Sequence, residues 1–270
     1  MISILQAALL GLLQGITEFL PVSSSGHLVI AQSLFHLQEN SLFLDTILHL
    51  GTVMAILLFF RRDLGALVLS LRSPVRLGPA GAWRNDPHFR LLIWLGIGTL
   101  PAGLAGVLFN DWFEAAFNSP RMVGFAFFIT ASLLFLSRLA RSNDVPLEKL
   151  GWRQALIVGL AQAAAITPGV SRSGSTIVAG LLSGLDREAA GRFSFLLAIP
   201  VILGAVLLQA LKVEELPPGF AAVALTGFVV SLVSGYLSLH ILLHFIRRGR
   251  LHWFGVYCVL AGLFALLLMH

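Results

Sequence analysis

Two charged residues, Glu18 and Arg172, are the strongest candidates in this chain for binding a cation and a phosphate. Gln14 and Glu18 lie four positions apart, so on a helix their side chains project from one face. Arg172 lies in a second polar segment, and its planar guanidinium suits phosphate oxygens. A carboxylate repels a phosphate unless a cation lies between them. Glu18, with Gln14 beside it, therefore predicts a site for a divalent cation, Mg²⁺ or Ca²⁺, that bridges to a phosphate.

Small polar residues accompany both of these charged groups. The segment after Pro21 reads Ser23, Ser24, Ser25, Gly26 and His27, and a helix is predicted to start there. A helix start with free N–H groups, a glycine and hydroxyl donors forms an anion site. A second such segment contains Arg172. The residues predicted to bind substrate are Gln14, Ser23, Ser25, Gly26, Ser171, Ser173, Gly174 and Thr176.

These two segments are copies of one pattern. Residues 11–34 align without a gap on residues 159–182, at a constant offset of 148 (159 − 11). Each copy is an apolar helical run that is interrupted by Pro, Ser and Gly and then resumes. In membrane proteins, broken helices at corresponding places in two halves point to a binding site near the bilayer midplane.

The composition indicates an integral membrane protein. Hydrophobic residues make up 57% of the chain and charged residues 11%, whereas a soluble domain carries about 25% charge. We therefore predict an all-α polytopic membrane protein, one integral membrane domain over 1–270, with halves of approximately 1–140 and 150–270. It has six transmembrane helices plus two re-entrant broken-helix hairpins in an inverted repeat. The predicted spans are Phe43–Phe60, Leu91–Phe109, Pro120–Ser137, Phe193–Leu211, Phe220–Ile246 and Leu251–Met269.

The distribution of basic residues predicts the orientation. Three predicted spans separate the two hairpins, so the hairpins enter from opposite faces. On this topology fifteen of the 18 Lys and Arg residues fall on one face, including those of the polar loop predicted at 61–90. The basic face is assigned to the cytoplasm, so the first hairpin opens outward. The net charge of +5 then reflects topology, and no nucleic-acid partner is predicted.

Other interpretations of these residues remain open at this point. Glu18 and Arg172 could form a salt bridge that ties the hairpins together, and the Ser-Gly breaks could relieve helix packing. His27 could cap a helix or act as an acid, base or phosphate ligand. For Asp45 and His49, four apart in the next span, a structural or interfacial role is favoured over one lining the cavity.

The motifs resemble those of the bacterial undecaprenyl-diphosphate phosphatases of the bacitracin-resistance type. Gln14-Gly-Ile-Thr-Glu18 fits the family's (E/Q)-x-x-x-E signature, and the segments Phe19–His27, Pro168–Thr176 and Phe193–Pro200 match as well, so the resemblance covers essentially the whole chain. It implies a multi-pass enzyme of the bacterial inner membrane. Such an enzyme removes the terminal phosphate of undecaprenyl diphosphate, an isoprenyl diphosphate lipid, with a divalent cation and so recycles the lipid carrier for peptidoglycan synthesis.

The resemblance also implies roles for individual residues. The family's acidic pair falls on Gln14 and Glu18, its serine-histidine segment on Ser23, Ser24 and His27, and its essential arginine on Arg172. We expect Ser24 to attack phosphorus with His27 as proton acceptor or as acid for the leaving group. A metal-activated water is the competing nucleophile. The second copy has Ile166 where the first has Glu18, so the active site is expected to open to the periplasm.

Two other classes of membrane protein are alternatives to this phosphatase family. Inverted repeats with broken helices also build secondary transporters, so the main alternative is a transporter or flippase of an isoprenyl phosphate or other anionic substrate. The acid-phosphatase-like lipid phosphatases are discounted because Asp186 and Arg187 follow the Ser-Arg motif without the second His that they require. Besides the substrate, the expected partners are membrane lipids, and a homodimer is left open.

Overall fold

Helices form nearly all of the part of the chain that the computed structural model describes, which is residues 2–37, 41–117, 119–140, 144–210 and 220–268. This confirms the all-α prediction; in these ranges the only strand-like pairing is one isolated bridge between Val145 and Leu185. The helices are α1 Ile4–Phe19, α2 Ser24–Leu34, α3 Ser41–Phe59, α4 Arg61–Ser70, α5 Ser73–Asn85, α6 Pro87–Leu108, α7 Asn110–Phe117, α8 Pro120–Leu136, α9 Trp152–Ala164, α10 Arg172–Leu182, α11 Arg187–Ala210, α12 Phe220–Arg247 and α13 His252–Leu268.

Several helices have the length and apolarity of membrane spans. In the described residues these are α6, α8, α11 and α12, and the chain is a multi-pass membrane protein. The predicted span Phe43–Phe60 corresponds to α3, which bends by 75° into α4. The last predicted span corresponds to α13, a shorter apolar helix. Leu211 and Met269, at the ends of two predicted spans, lie outside the described residues.

The prediction of a loop over 61–90 is wrong, because the segment is helical, although many of its residues are exposed. This segment forms α4 and α5, with a break in the second helix at Gly78, whose φ is +71°. Leu67 and Ala82 are buried, so apolar positions between the arginines hold both helices against the rest of the fold. Ser73 donates a hydrogen bond to Asp86, the residue that caps α6.

The two predicted helix breaks are present. α1 ends at Phe19 and α2 begins at Ser24, while α9 ends at Ala164 and α10 begins at Arg172. Within each pair the two helices pack against one another, so each pair is a helical hairpin. We call the residues 20–27 the first tip and the residues 165–176 the second tip.

Close glycine contacts pack each hairpin against a long helix of the other half. α1 packs on α12 and α9 packs on α6. A Cβ on Gly11 would lie 2.7 Å from the carbonyl oxygen of Gly227, and a Cβ on Gly159 would lie 2.8 Å from the Cα of Gly98. Gly11 and Gly159 are equivalent in the sequence repeat, so the two copies use the same contact with different partners.

Because this contact has no room for a side chain, we expect Gly159→Ala to destabilise the protein. An added methyl group must push α9 and α6 apart, and overpacking of this kind costs about 1–3 kcal/mol. Thermal unfolding of the purified protein in detergent measures the effect. Gly103→Ala on α6 is the matched control, since its Cβ would meet nothing within 4 Å and its melting temperature should not fall. Equal melting temperatures for the two variants would contradict the packing account.

Candidate functional site

The two tips meet inside the protein. The Ser173 hydroxyl of the second tip donates a hydrogen bond of 3.1 Å to the Leu20 carbonyl of the first. A Cβ on Gly26 would lie 3.0 Å from the Cα of Gly169, so glycine allows the two backbones to approach each other. Residues more than 140 positions apart in the sequence therefore form one site.

Glu18 lies at the centre of this site. Its Oε1 accepts a 2.6 Å hydrogen bond and ion pair from Arg172 Nη2. Its Oε2 accepts a hydrogen bond of 2.5 Å from the Ser24 hydroxyl and one of 3.0 Å from the Gln14 amide. The salt bridge left open by the sequence therefore does form, and its carboxylate is buried, because the Glu18 side chain is only 7% exposed.

The groups that bind Glu18 from the two tips are equivalent. Ser24 is the first residue of α2 and Arg172 is the first residue of α10. They are separated by 148 positions (172 − 24), which is the offset of the sequence repeat. The repeat therefore brings two helix N-termini to one carboxylate, and the positive end of a helix dipole stabilises a negative charge there.

Some polar atoms of the site are buried without a hydrogen-bond partner. Among the described residues these include the donor Arg172 Nη1, the hydroxyl of Ser175 and the acceptor Gln14 Oε1. An unpaired buried polar atom costs about 1–3 kcal/mol. A guanidinium with one arm on Glu18 and the other arm unpaired is arranged to bind a second anion.

The first tip contains an unusual backbone conformation. Ser23 has φ +67°, in the left-handed region that L-residues other than Asn and Asp rarely adopt. In this position its hydroxyl accepts a 3.3 Å hydrogen bond from the Gly26 N–H and lies 3.3 Å from the Ser25 hydroxyl. Strain of this kind, about 1–3 kcal/mol, concentrates at functional sites.

The second tip is fixed by hydrogen bonds from a neighbouring helix. Thr130 of α8 donates to the Gly169 carbonyl at 2.8 Å and accepts from the Ser171 N–H at 2.9 Å. The Ser171 hydroxyl accepts from the Gly174 N–H at 3.1 Å, and Thr176 donates to the Arg172 carbonyl at 2.8 Å. These predicted substrate-binding residues therefore already hold the tip in shape, and their direct contact with substrate stays a prediction.

His27 has different partners from those expected. Its Nδ1 donates a hydrogen bond of 2.7 Å to the Ser23 carbonyl, because a carbonyl can only accept. Its Nε2 then accepts a hydrogen bond of 2.6 Å from the Tyr257 hydroxyl on α13. The expected pairing of Ser24 with His27, two residues that the structure describes, is not formed; Ser24 binds Glu18 instead.

Two neighbours of the site were not assigned to it from the sequence. Tyr257 is one aromatic residue among many in apolar spans, and no local pattern connects it to His27. His49 was favoured as structural, yet its Nε2 lies 4.0 Å from Glu18 Oε2. The pair Asp45 and His49 in an apolar span was the available signal, since ionisable residues in a membrane usually serve function.

The oxygen atoms at and beside Glu18 are compatible with binding of a divalent cation. Within the described ranges there is no group of three or more His, Cys, Asp or Glu side chains that could hold a metal. A metal here would therefore need the amide oxygen of Gln14, which is buried and unpaired, as well as the Glu18 carboxylate. Carboxylate and amide oxygens are the ligands that Mg²⁺ and Ca²⁺ prefer.

Comparison with known proteins identifies the family. Residues 7–264 match the family described as "Bacitracin resistance protein BacA". A protein of Methanobrevibacter smithii named undecaprenyl-diphosphatase is 42% identical over 96% of this chain and 95% of its own length. A protein of the same name from Rubrobacter xylanophilus is 44% identical over 100% of both chains. By this match over nearly its whole length, the chain belongs to the bacitracin resistance protein BacA family.

Proposed function

We propose that this protein is a membrane phosphatase that hydrolyses undecaprenyl diphosphate to undecaprenyl phosphate and inorganic phosphate, recycling the lipid carrier of cell-wall synthesis. The observation that carries the proposal is the guanidinium of Arg172, with one arm on Glu18 and a buried Nη1 that has no partner among the described residues. A phosphate oxygen is a suitable acceptor for that arm. The shared name of the relatives supports the same activity.

We further propose six spans and two re-entrant hairpins in an inverted repeat, in a bacterial cytoplasmic membrane, with the site open to the periplasm. The equivalent packing of α1 on α12 and of α9 on α6 supports the repeat. The uneven distribution of Lys and Arg along the sequence supports the orientation. Undecaprenyl diphosphate would then be bound with its chain among the membrane lipids and its diphosphate at the tips.

In the proposed first step, Ser24 is the nucleophile. Its Oγ already donates a hydrogen bond of 2.5 Å to Glu18 Oε2, so the carboxylate can accept the serine proton as the oxygen attacks the terminal phosphorus. The bond between that phosphorus and the bridging oxygen breaks, which releases undecaprenyl phosphate and leaves a phosphoserine. The proton on Glu18 leaves with the undecaprenyl phosphate. Water then attacks the phosphoserine phosphorus, the bond to Ser24 Oγ breaks, a proton from the water returns to Oγ, and inorganic phosphate is released.

The remaining groups bind and neutralise the diphosphate. Arg172 Nη1 and the N–H groups at the starts of α2 and α10 donate to the phosphate oxygens as negative charge builds up on them. When bound by Glu18 and Gln14, a divalent cation supplies further neutralisation of that charge. His27 keeps the first tip in shape through its bond to the Ser23 carbonyl.

Phosphate release by the purified protein in detergent tests the proposed function. The substrate is a long-chain isoprenyl diphosphate, with Mg²⁺, with Ca²⁺ or with a chelator. Because detergent removes any gradient, we expect steady release that needs the cation. Absence of release by well-folded wild-type protein would reject the phosphatase and favour the transporter.

We expect Ser24→Ala to lower the rate of phosphate release by at least about 10²-fold, because the nucleophile is removed. Acid quenching of the wild-type reaction followed by mass spectrometry should find phosphate on Ser24. Ser132→Ala is the control, since this exposed hydroxyl of α8 binds only the Phe128 carbonyl among its described neighbours. Full activity of Ser24→Ala would mean that water attacks directly.

We expect Tyr257→Phe to lower kcat about tenfold and to leave KM unchanged. His27 loses the partner of its Nε2, so its ring holds the Ser23 carbonyl less firmly and the neighbouring Ser24 is misplaced for attack. Steady-state kinetics of phosphate release measures both constants. Tyr236→Phe is the matched control, since Tyr236 is the only other tyrosine of the chain and packs beside Phe59 and His240. A rise in KM without a fall in kcat would show that Tyr257 contributes to binding instead.

A further inference from the structure

His49 of α3 directs a ring nitrogen at the central carboxylate. Its Nε2 lies 4.0 Å from Glu18 Oε2, and its side chain is 25% exposed. This separation is too long for a hydrogen bond. His49 Nε2 and Glu18 Oε2 are therefore neighbours that are not directly bonded to each other.

The hydrogen bond made by Nδ1 of His49 determines whether Nε2 carries a hydrogen or a lone pair. His49 Nδ1 lies 2.8 Å from the Asp45 carbonyl oxygen, one turn earlier in α3. A carbonyl can only accept, so Nδ1 carries the hydrogen and the neutral ring has its lone pair on Nε2. A metal-binding histidine is commonly oriented by such a bond from its other nitrogen to a backbone carbonyl.

The side-chain amide of Gln14 is hydrogen-bonded to the same carboxylate oxygen. Gln14 donates its amide N–H to Glu18 Oε2 at 3.0 Å, and its own Oε1 is buried without a partner in the described part of the chain. Two donor atoms that share one cation each lie about 2.0–2.6 Å from it. A separation of 4.0 Å between His49 Nε2 and Glu18 Oε2 is compatible with that distance.

We propose that His49 binds the divalent cation of this site through Nε2, together with Glu18 and the amide oxygen of Gln14. The proposal rests on the cation-dependent function proposed above. A nitrogen ligand distinguishes the site from the all-oxygen sites that Mg²⁺ and Ca²⁺ prefer. The nitrogen ligand shifts the affinity of the site towards transition metals that accept imidazole. Among the divalent first-row transition metals, Mn²⁺ binds protein sites most weakly.

Electron paramagnetic resonance with Mn²⁺ as the probe tests this proposal independently of activity. Full-length protein without a histidine tag is purified in detergent and loaded with Mn²⁺. Electron spin-echo modulation should then show a directly bound ¹⁴N nucleus. In His49→Gln this modulation should vanish, and the Kd for Mn²⁺ should rise at least about tenfold while Glu18 and Gln14 still bind the ion.

His240→Gln is the matched control. His240 also has its Nδ1 on the carbonyl one turn earlier, at 3.0 Å from Tyr236, but it is exposed on α12. Its substitution should leave the ¹⁴N modulation and the Kd unchanged. Glu18→Gln should abolish Mn²⁺ binding, which assigns the signal to this site.

Three results would overturn the proposal: no Mn²⁺ binding, Mn²⁺ binding without ¹⁴N modulation, or modulation that persists in His49→Gln. Phosphate release by the wild-type protein is measured in parallel, so the two proposals fail separately. Cation-dependent release without a nitrogen ligand would reject the role of His49 alone. A nitrogen ligand without release would reject the phosphatase and keep the metal site.

Discussion

Glu18→Gln is expected to lower the rate of phosphate release by at least about 10³-fold. The substitution keeps the size of the side chain but removes the charge that is proposed to hold the cation. It also removes the acceptor of the Ser24 proton, and general-base catalysis alone contributes about 10²–10⁴-fold. Initial rates at saturating isoprenyl diphosphate measure the loss.

The control for this variant is Glu188→Gln. Glu188 is 54% exposed at the start of α11 and lies 3.6 Å from Arg247, away from the tips, so the rate should be unchanged. More than a tenth of the wild-type rate in Glu18→Gln, with normal thermal unfolding, would contradict the assignment of Glu18 to the reaction.

Arg172→Met is expected to abolish measurable release and to destabilise the protein. The substitution removes the proposed donor to the phosphate, and it also leaves the buried carboxylate of Glu18 without its ion-pair partner. Breaking a buried pair from one side costs about 3–5 kcal/mol. Release assays and thermal unfolding of the same preparation separate the two effects.

A second substitution distinguishes stability from catalysis. The double variant Glu18→Gln/Arg172→Met has no uncompensated buried charge, so its melting temperature should return towards that of the wild type while activity stays absent. Arg138→Met, at an exposed position after α8, is the control and should alter neither property. A double variant as unstable as Arg172→Met would show that the instability has another cause.

The broken helices were the part of the fold that the sequence predicted best. The Pro, Ser and Gly residues at each break act locally, since the Ser23 and Ser171 side chains cap the following helix through a hydrogen bond from an N–H three residues on. The segment 61–90 was predicted less well. Its arginines and glycines resemble a loop locally, and the burial of Leu67 and Ala82 that holds α4 and α5 in place arises only from packing in the assembled fold.

For the site, the sequence repeat predicted which residues come together but not how they pair. Equivalence of Ser24 and Arg172 followed from the constant offset, and the structure brings both to Glu18. The partner of His27 could not be predicted, because Tyr257 is 230 positions away and belongs to a uniformly apolar helix. Contacts of this kind depend on how helices from the two halves rotate against each other.

A double-mutant cycle on kcat/KM for phosphate release tests most directly whether the two tips form one catalytic site. Glu18→Asp and Arg172→Lys keep their charges, so enough activity should remain to compare each single variant with the double variant. When two residues act as a unit, the effects of their substitutions are strongly non-additive. The kcat/KM of the double variant should therefore lie no more than a few-fold below that of the less active single variant. If the fold-loss in kcat/KM of the double variant equals the product of the two single losses to within about twofold, the positions act independently. That result would contradict a shared site.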